Sequence, residues 1–177
     1  MTVETAVAKV AQAGKYLSFM LGHKEYGLEI LTVHQVNAMT GLVRLPDAPA
    51  FVRGAVTKRG RSIPVVSLRM KFGLPAVEDT EKTSIIVVKA PYRDTEVTMG
   101  LVVDEVLEVL SLGADQIETP QDDPATDPSP TLGLGRLDDR EIILLDMDTL
   151  LADEDLEYLS RLDRTAAAGN HHDGGGR

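Results

Sequence analysis

Four histidines, His23, His34, His171 and His172, supply the side chains that titrate near neutrality without help from their surroundings. A nucleophilic mechanism would need one of them beside a Ser, Thr or Lys and oriented by a third group. His23 falls in a predicted turn (GHKEYG) and His171 and His172 in a tail. No G-x-S-x-G occurs. His34, next to a strand-like segment, has the chemistry of a base but reads as a solvated or packed histidine. A hydrolase would also need a deep, closed pocket lined by His34 and converging carboxylates. For metal, the tail offers His171, His172 and Asp173, and the acids between Asp122 and Asp127 offer calcium ligands. Neither group has the ordered spacing of an EF-hand or a zincin. Asp138 and Asp139 read as a turn and Asp146 as a strand end, not as a paired acid and base. Gly133-Leu134-Gly135 lacks the third glycine of a dinucleotide fingerprint and reads as a turn. The expectation is a chain with no catalytic residue, no metal site and no cofactor.

What remains is a group of cations. RGAVTKRGRSIPVVSLRMKFGLP, from Arg53 to Pro75, carries Lys58, Arg59 and Arg61 in a glycine-punctuated loop, followed by an apolar strand and a Gly-Leu-Pro stop. The whole chain of 177 residues has a formal net charge of −10. That balance argues against nucleic acid or an anionic membrane surface as partner, because phosphate needs a basic footprint. Without a P-loop context or a helix N-terminus beside them, the three cations point to a protein contact before a phosphate site. There is no cysteine, which removes thiolate chemistry and disulfides and fits a reducing compartment. No apolar run approaches the roughly 18 residues of a membrane span. A cytosolic, soluble protein without direct membrane insertion is expected.

The elements that must position these residues are mostly strands. Leu17, Phe19 and Leu21 alternate with Tyr16, Ser18 and Met20, the period of a strand. Tyr26 to Ile30 resumes the alternation, with Gly27 marking a bulge or a close backbone approach. Ile63 to Leu68, Ser84 to Val88, Val97 to Val103 and Glu141 to Met147 read as further strands, the second buried on both faces. Gly113 to Pro130, with four prolines and several aspartates, reads as a long surface connection. Leu156, Leu159 and Leu162 recur at helical spacing behind Asp153, a candidate N-cap, which predicts a helix over 153–164. Residues 1–14 read as a flexible leader and 165–177 as a disordered tail.

Two internal matches organise the strands. Gly27, Leu28, Ile30, Val33 and Val36 repeat as Gly100, Leu101, Val103, Val106 and Val109, 73 residues on. Gly54, Ile63, Val65, Val66 and Leu68 repeat as Gly133, Ile142, Leu144, Leu145 and Met147, 79 residues on. Both matches keep their order, which favours a duplicated β unit: two similar small barrels, each closing its own edges. The subdomains are expected at roughly 15–80 and 81–152.

The segments KYLSFMLGHKEYGLEI, LPDAPAFVRGAVTKRGRSIPVVSLRMKFGLP, MGLVVDEVLEVLSL and LGLGRLDDREIILLDMDTLL, in that order between about Lys15 and Leu151, resemble the CheW family of bacterial chemotaxis coupling proteins. The resemblance implies an all-β fold of two intertwined, five-stranded SH3-like barrels related by pseudo-symmetry, with a C-terminal helix. It implies a non-enzymatic scaffold that joins the cytoplasmic tips of methyl-accepting chemoreceptors to the regulatory domain of the histidine kinase CheA, in the cytoplasm at membrane-associated receptor arrays. The arginine of the family's N-L-R-G turn, a principal receptor contact, falls on Arg59, with Lys58 beside it. The family's apolar groove falls on Ile30, Val33, Val36, Val106 and Val109, and a polar position that is often glutamate falls on Gln35. The chain departs from the pattern at Thr57-Lys58 (for Asn-Leu), at Arg61 (for an apolar residue) and at Ser67 (for the aspartate of P-V-V-D-L-R). The altered T-K-R-G-R loop motivates an alternative, a diverged adaptor of a non-chemotactic chemosensory array.

Overall fold

The computed structural model describes residues 12–58, 60–118 and 131–162. In chain order the strands are β1 (Gly14–Leu21), β2 (Lys24–Glu29), β3 (Val33–Ala38), β4 (Val52–Lys58), β5 (Arg61–Ser67), β6 (Ser84–Tyr92), β7 (Thr95–Val103), β8 (Glu105–Leu112), β9 (Ile117–Glu118), β10 (Thr131–Leu137) and β11 (Arg140–Leu145). They form two sheets, one ordered β8-β1-β2-β11-β10-β9 and the other β3-β6-β7-β5-β4. A one-turn 3-10 helix (Ile30–Thr32) joins β2 to β3, a short helix (Leu68–Lys71) follows β5, and a helix over 153–162 closes the described chain.

The duplicated pattern is realised in the registers. In the first sheet Leu144 pairs with Gly27 across the parallel β11–β2 contact, and Gly133 pairs with Leu144. In the second, Val65 pairs with Gly100 across the parallel β5–β7 contact, and Gly54 pairs with Val65. These are the residues that the 73- and 79-residue spacings superimpose. Even the bulges correspond: one just before Gly133 and one just before Gly54, one opposite Leu107 between Ser18 and Phe19 and one at His34. Both glycines sit in tight places, since a Cβ on Gly27 would stand 3.1 Å from Leu144 Cδ2 across the parallel contact and one on Gly100 would stand 2.6 Å from Ile85 Cγ2 of neighbouring β6. Gly27 therefore marks a close approach and not a bulge.

Each sheet curls until its edges meet. From the end of β3, five residues lead to Val43, which bridges to Ala55 on the opposite edge strand β4. Such a segment spans at most ~18 Å. In the first sheet β9, five residues past β8, makes the corresponding contact with Leu134 on β10. The first sheet therefore has five principal strands and the two-residue β9, and the second has five.

The boundary near residue 80 does not separate the sheets. The first sheet takes residues 14–29 and 105–145, and the second takes 33–103. The chain crosses between them at Ile30–Thr32 and again at Asp104, because each half lends its first strands to the other barrel. Three cores follow. Tyr16, Leu110, Leu112, Leu132, Ile142 and Leu144 fill the first barrel. Val56, Ile63, Val65, Ile85, Val87 and Val102 fill the second. The largest cluster, with Leu17, Phe19, Leu28, Val66, Ile86, Val88, Met99, Leu101 and Leu145, lies between the barrels, and Leu156 and Leu159 of the last helix cover it. The unbroken apolar runs of β6 and β7 are buried on both sides because one face looks into a barrel and the other toward its sister.

Three local expectations change. Gly133-Leu134-Gly135 lies inside strand β10 and not in a turn, and a Cβ on Gly135 would stand 2.7 Å from Leu112 Cδ1. The basic loop shrinks to a hairpin tip, because Val52–Lys58 is strand; Gly54, at φ 147°, is required there by Val43, whose carbonyl oxygen would be 2.3 Å from a Cβ. Asp153 is the first residue of the last helix, and it is the Ala152 carbonyl that accepts the Leu156 N–H at 3.0 Å. The predicted leader, for residues 1–11, and tail lie outside the described residues, as do 119–130 of the proline-rich connection.

Candidate functional site

The predicted apolar set sits where the chain passes between barrels. Ile30 belongs to the crossing turn, which packs against both β1 and β6. Val33 opens β3 and Val106 lies at the start of β8, and these are edge strands of the second and first sheets. All three residues are half-buried against the same core cluster. Val36 and Val109, their companions in the repeat, are 43% and 50% exposed on the outer parts of the same edges. Gln35 is exposed on β3 and donates from Nε2 to Asn37 Oδ1 at 2.8 Å. Its counterpart in the first sheet is Glu108.

Two apolar residues of this surface escape the strand period. Leu31 is 93% exposed at the middle of the crossing turn, and Leu107 is 38% exposed at the bulge position of β8. Alternation assigns residues to two faces, whereas a 3-10 turn distributes three successive residues around an axis and a bulge shifts the phase by one. A leucine wedged between two strand patterns is the only trace that Leu31 leaves in the sequence.

Arg59 and the side chain of Lys58 lie outside the described residues. The strands beside them are described: the Lys58 backbone pairs with Arg61 at the end of the β4–β5 hairpin, and Gly60 turns at φ 76°. Reading along the register from Val65 through Gly100 and Val87 to Gln35, the hairpin tip is at the same end of the sheet as the start of β3. Arg61 is exposed there. Ser67, in place of the family aspartate, accepts the Met70 N–H at 3.2 Å and caps the short helix. Its repeat partner Asp146 accepts the Asp148 N–H at 3.0 Å, two residues on, and so closes a turn where Ser67 caps a helix. A serine therefore preserves the cap that the aspartate would make.

Charged groups tie the framework beneath. Arg140, at the start of β11, donates to Glu25 on β2 at 3.1 Å through Nε and also through Nη2, and to Glu108 on β8 at 2.8 Å. The buried Ser18 hydroxyl donates to the same Glu25 carboxylate. Burial pushes the Glu25 carboxyl up, but the Arg140 and Ser18 hydrogen bonds outweigh it and hold the group below the usual carboxylate range. Asp104, between β7 and β8, accepts from Arg69 Nε at 2.9 Å and Nη2 at 2.8 Å, and from the Gly22 N–H at 2.8 Å. Its carboxyl is likewise lowered, burial notwithstanding.

His34 stands exposed on an edge strand, and His23 lies in the β1–β2 turn. Among the described residues no three His, Cys, Asp or Glu side chains gather as metal ligands. The acids from Asp122 to Asp127 and the His171-His172-Asp173 group lie outside those residues. No helix of the described chain is long and apolar enough to cross a membrane.

A two-barrel molecule with exposed Leu31, Val36, Leu107 and Val109 on the crossing turn and two edge strands, and with ion pairs that brace its strands, offers a surface for other proteins. The comparisons with known proteins agree. A family model described as the CheW-like domain matches residues 15–155. A chemotaxis protein CheW from Klebsiella aerogenes is 35% identical over 154 residues, 84% of this chain and 87% of that protein. The chemotaxis protein CheW of Rhizobium meliloti is 30% identical, covering 80% and 89%. The crystal structure of the scaffolding protein TtCheW from Thermoanaerobacter tengcongensis superimposes with a TM-score of 0.69 at 30% identity, over 78% of this chain and 92% of that one. The chain belongs to the CheW family and is a chemotaxis coupling scaffold. The relatives do not favour an adaptor of a non-chemotactic array.

Proposed function

We propose that this protein bridges the cytoplasmic tip of a methyl-accepting chemoreceptor to the regulatory domain of the histidine kinase CheA, without enzymatic activity of its own. It would reside in the cytoplasm at membrane-associated receptor arrays, held there by its partners. The observation that carries the reading is that four of the seven exposed large apolar side chains among the described residues, Leu31, Val36, Leu107 and Val109, lie on the crossing turn and the two edge strands, the others being Val43, Met70 and Val77. An amphipathic receptor helix laid along that surface would bury them, with Ile30, Val33 and Val106 as the floor. Arg59 and Lys58, at the hairpin tip, and Gln35 add polar contacts, Arg59 making a charge-assisted hydrogen bond to a receptor carboxylate or carbonyl. A barrel end pairs with the matching barrel of the kinase domain. Signalling then requires one contact to differ in free energy between receptor states.

Calorimetry with a receptor signalling fragment and with the CheA regulatory domain tests this directly. Both are expected to bind, and Arg59→Ala is expected to weaken the receptor fragment while leaving kinase binding and Tm nearly unchanged. Failure of the wild-type chain to bind either partner would sink the proposal. An equal loss of both affinities would remove Arg59 as a specific contact.

A further inference from the structure

The two crossings between barrels are counterparts in the repeat, Leu31 corresponding to Asp104, yet they are built differently. The first is a bare 3-10 turn whose central leucine is solvent-exposed. The second is a single residue held from both sides. Asp104 receives two hydrogen bonds from Arg69, which sits on the short helix directly after β5 of the second sheet. It receives a third from the Gly22 N–H in the β1–β2 turn of the first sheet, and its own N–H donates to Met20 O of β1 at 3.0 Å. Arg69 is anchored in turn through Nη1 to Pro75 O at 2.7 Å. Arg69 and Asp104 side chains are only 16% and 27% exposed, so solvent screens the pair weakly.

We infer that the Gly22–Asp104–Arg69 junction sets the orientation of one barrel against the other, and through it the placement of β8 relative to β3, making Asp104 and Arg69 positioning residues for any partner that touches both edges. A bidentate arginine fixes direction as well as distance, which a point charge does not. Asp104 directly precedes β8, whose Val106 packs against the shared core, as do Ile30 and Val33. A change of tilt at Asp104 is therefore passed to Val106 and Val109 through two and five residues of strand. A partner bound to one barrel end alone would not sense it. Nothing in this coupling needs the junction to contact the partner.

The inference rests on the proposed function only for its binding arm. The test uses the full chain with Asp104→Asn, which keeps one acceptor oxygen but loses the charge, and Arg69→Lys, which keeps the charge but loses the fork. Residual dipolar couplings of the free protein report the relative alignment of the two sheets, and calorimetry reports affinity for a receptor signalling fragment and for the CheA regulatory domain. Both variants are expected to melt cooperatively with altered sheet alignment. The receptor fragment is expected to bind about 10-fold more weakly, with kinase affinity retained. Unchanged alignment in the folded variants overturns the inference, as does a parallel fall of both affinities that tracks lost stability. Should Asp104→Asn fail to fold, Arg69→Lys decides. A wild-type chain that binds no receptor fragment refutes the proposed function, while the alignment measurement still judges the junction.

Discussion

The two barrels share a backbone plan down to the position of each bulge, yet they are filled differently at one level. In the first, the row across the sheet at Ser18 carries a polar bundle: the Ser18 hydroxyl, Glu25, Glu108 and Arg140. In the second, the corresponding positions hold Val87, Thr98, Gln35 and Arg61. The first is braced by ion pairs among β2, β8 and β11, which the Ser18 hydroxyl of β1 joins, whereas the second has a valine in place of Ser18 and no carboxylate at the matching positions. The duplicated pattern of glycines and branched apolar residues specifies the fold, and the residues between them are free to diverge. The barrel whose β3 edge and hairpin tip are assigned to the receptor is the one without the carboxylates at those two positions.

The strongest test of the equivalence is in the shared core, where it should hold. Leu28 and Leu101 are counterparts, both fully buried in the cluster between the barrels. Leu28→Ala and Leu101→Ala should each cost about 2–5 kcal/mol, from lost transfer free energy and the cavity left behind. The two costs should agree closely, and in the double variant they should not add, because the residues serve one cluster. Chemical denaturation measures all three. A strong effect from one leucine and little from the other would mean that the barrels do not share a core.

Much of this was legible in the sequence, and the misses have particular causes. The repeat specified two barrels because it falls on glycines such as Gly54 and Gly100, where a Cβ would meet a neighbour closer than 3.0 Å, and Gly27, where the space is tight. It did not reveal that the halves interlace, since β2 and β11 pair across more than a hundred residues and no local pattern records that. Gly133-Leu134-Gly135 read as a turn because glycine within a strand, as where Gly135 meets Leu112, and glycine in a turn look alike in one dimension. Of the candidate site, the family resemblance named Ile30, Val33 and Val106, and each of them packs on the shared core cluster. Leu31 and Leu107 were hidden by the turn and the bulge that expose them.

A smaller effect should come from a defect that only the second barrel carries. Asn37 stands where the first barrel has Leu110, and its Nδ2 is buried with no hydrogen-bond partner. An unmet buried donor costs about 1–3 kcal/mol, partly offset here because Oδ1 still accepts from Gln35. Asn37→Leu should therefore raise stability by about 1 kcal/mol and Tm by about 2–4 °C. A lowered Tm would show that the amide serves β3 in a way that its counterpart does not.

The smallest expected effect separates the barrels by pH. Glu25 has a native pKa held below its unfolded value, so between those two values the unfolded chain binds more protons than the folded one. Its contribution is complete above the unfolded value, about 4.3, and is lost as pH falls through the lower native one. Because Arg140 is about one-third exposed, the contribution should be no more than about 1 kcal/mol. The second barrel has Thr98 at that position and no such dependence. Glu25→Gln should flatten the stability curve on the acid side of pH 5, whereas Thr98→Val should leave its shape unchanged. Amide exchange toward pH 3 should open β1, β2, β8 and β11 ahead of β5, β6 and β7. If both barrels loosen together in the wild type and the Gln variant keeps the same acid slope, the ion-pair bundle is not what distinguishes them. The lowered carboxyl of Asp104, at the junction common to both barrels, would then be the group that governs acid stability.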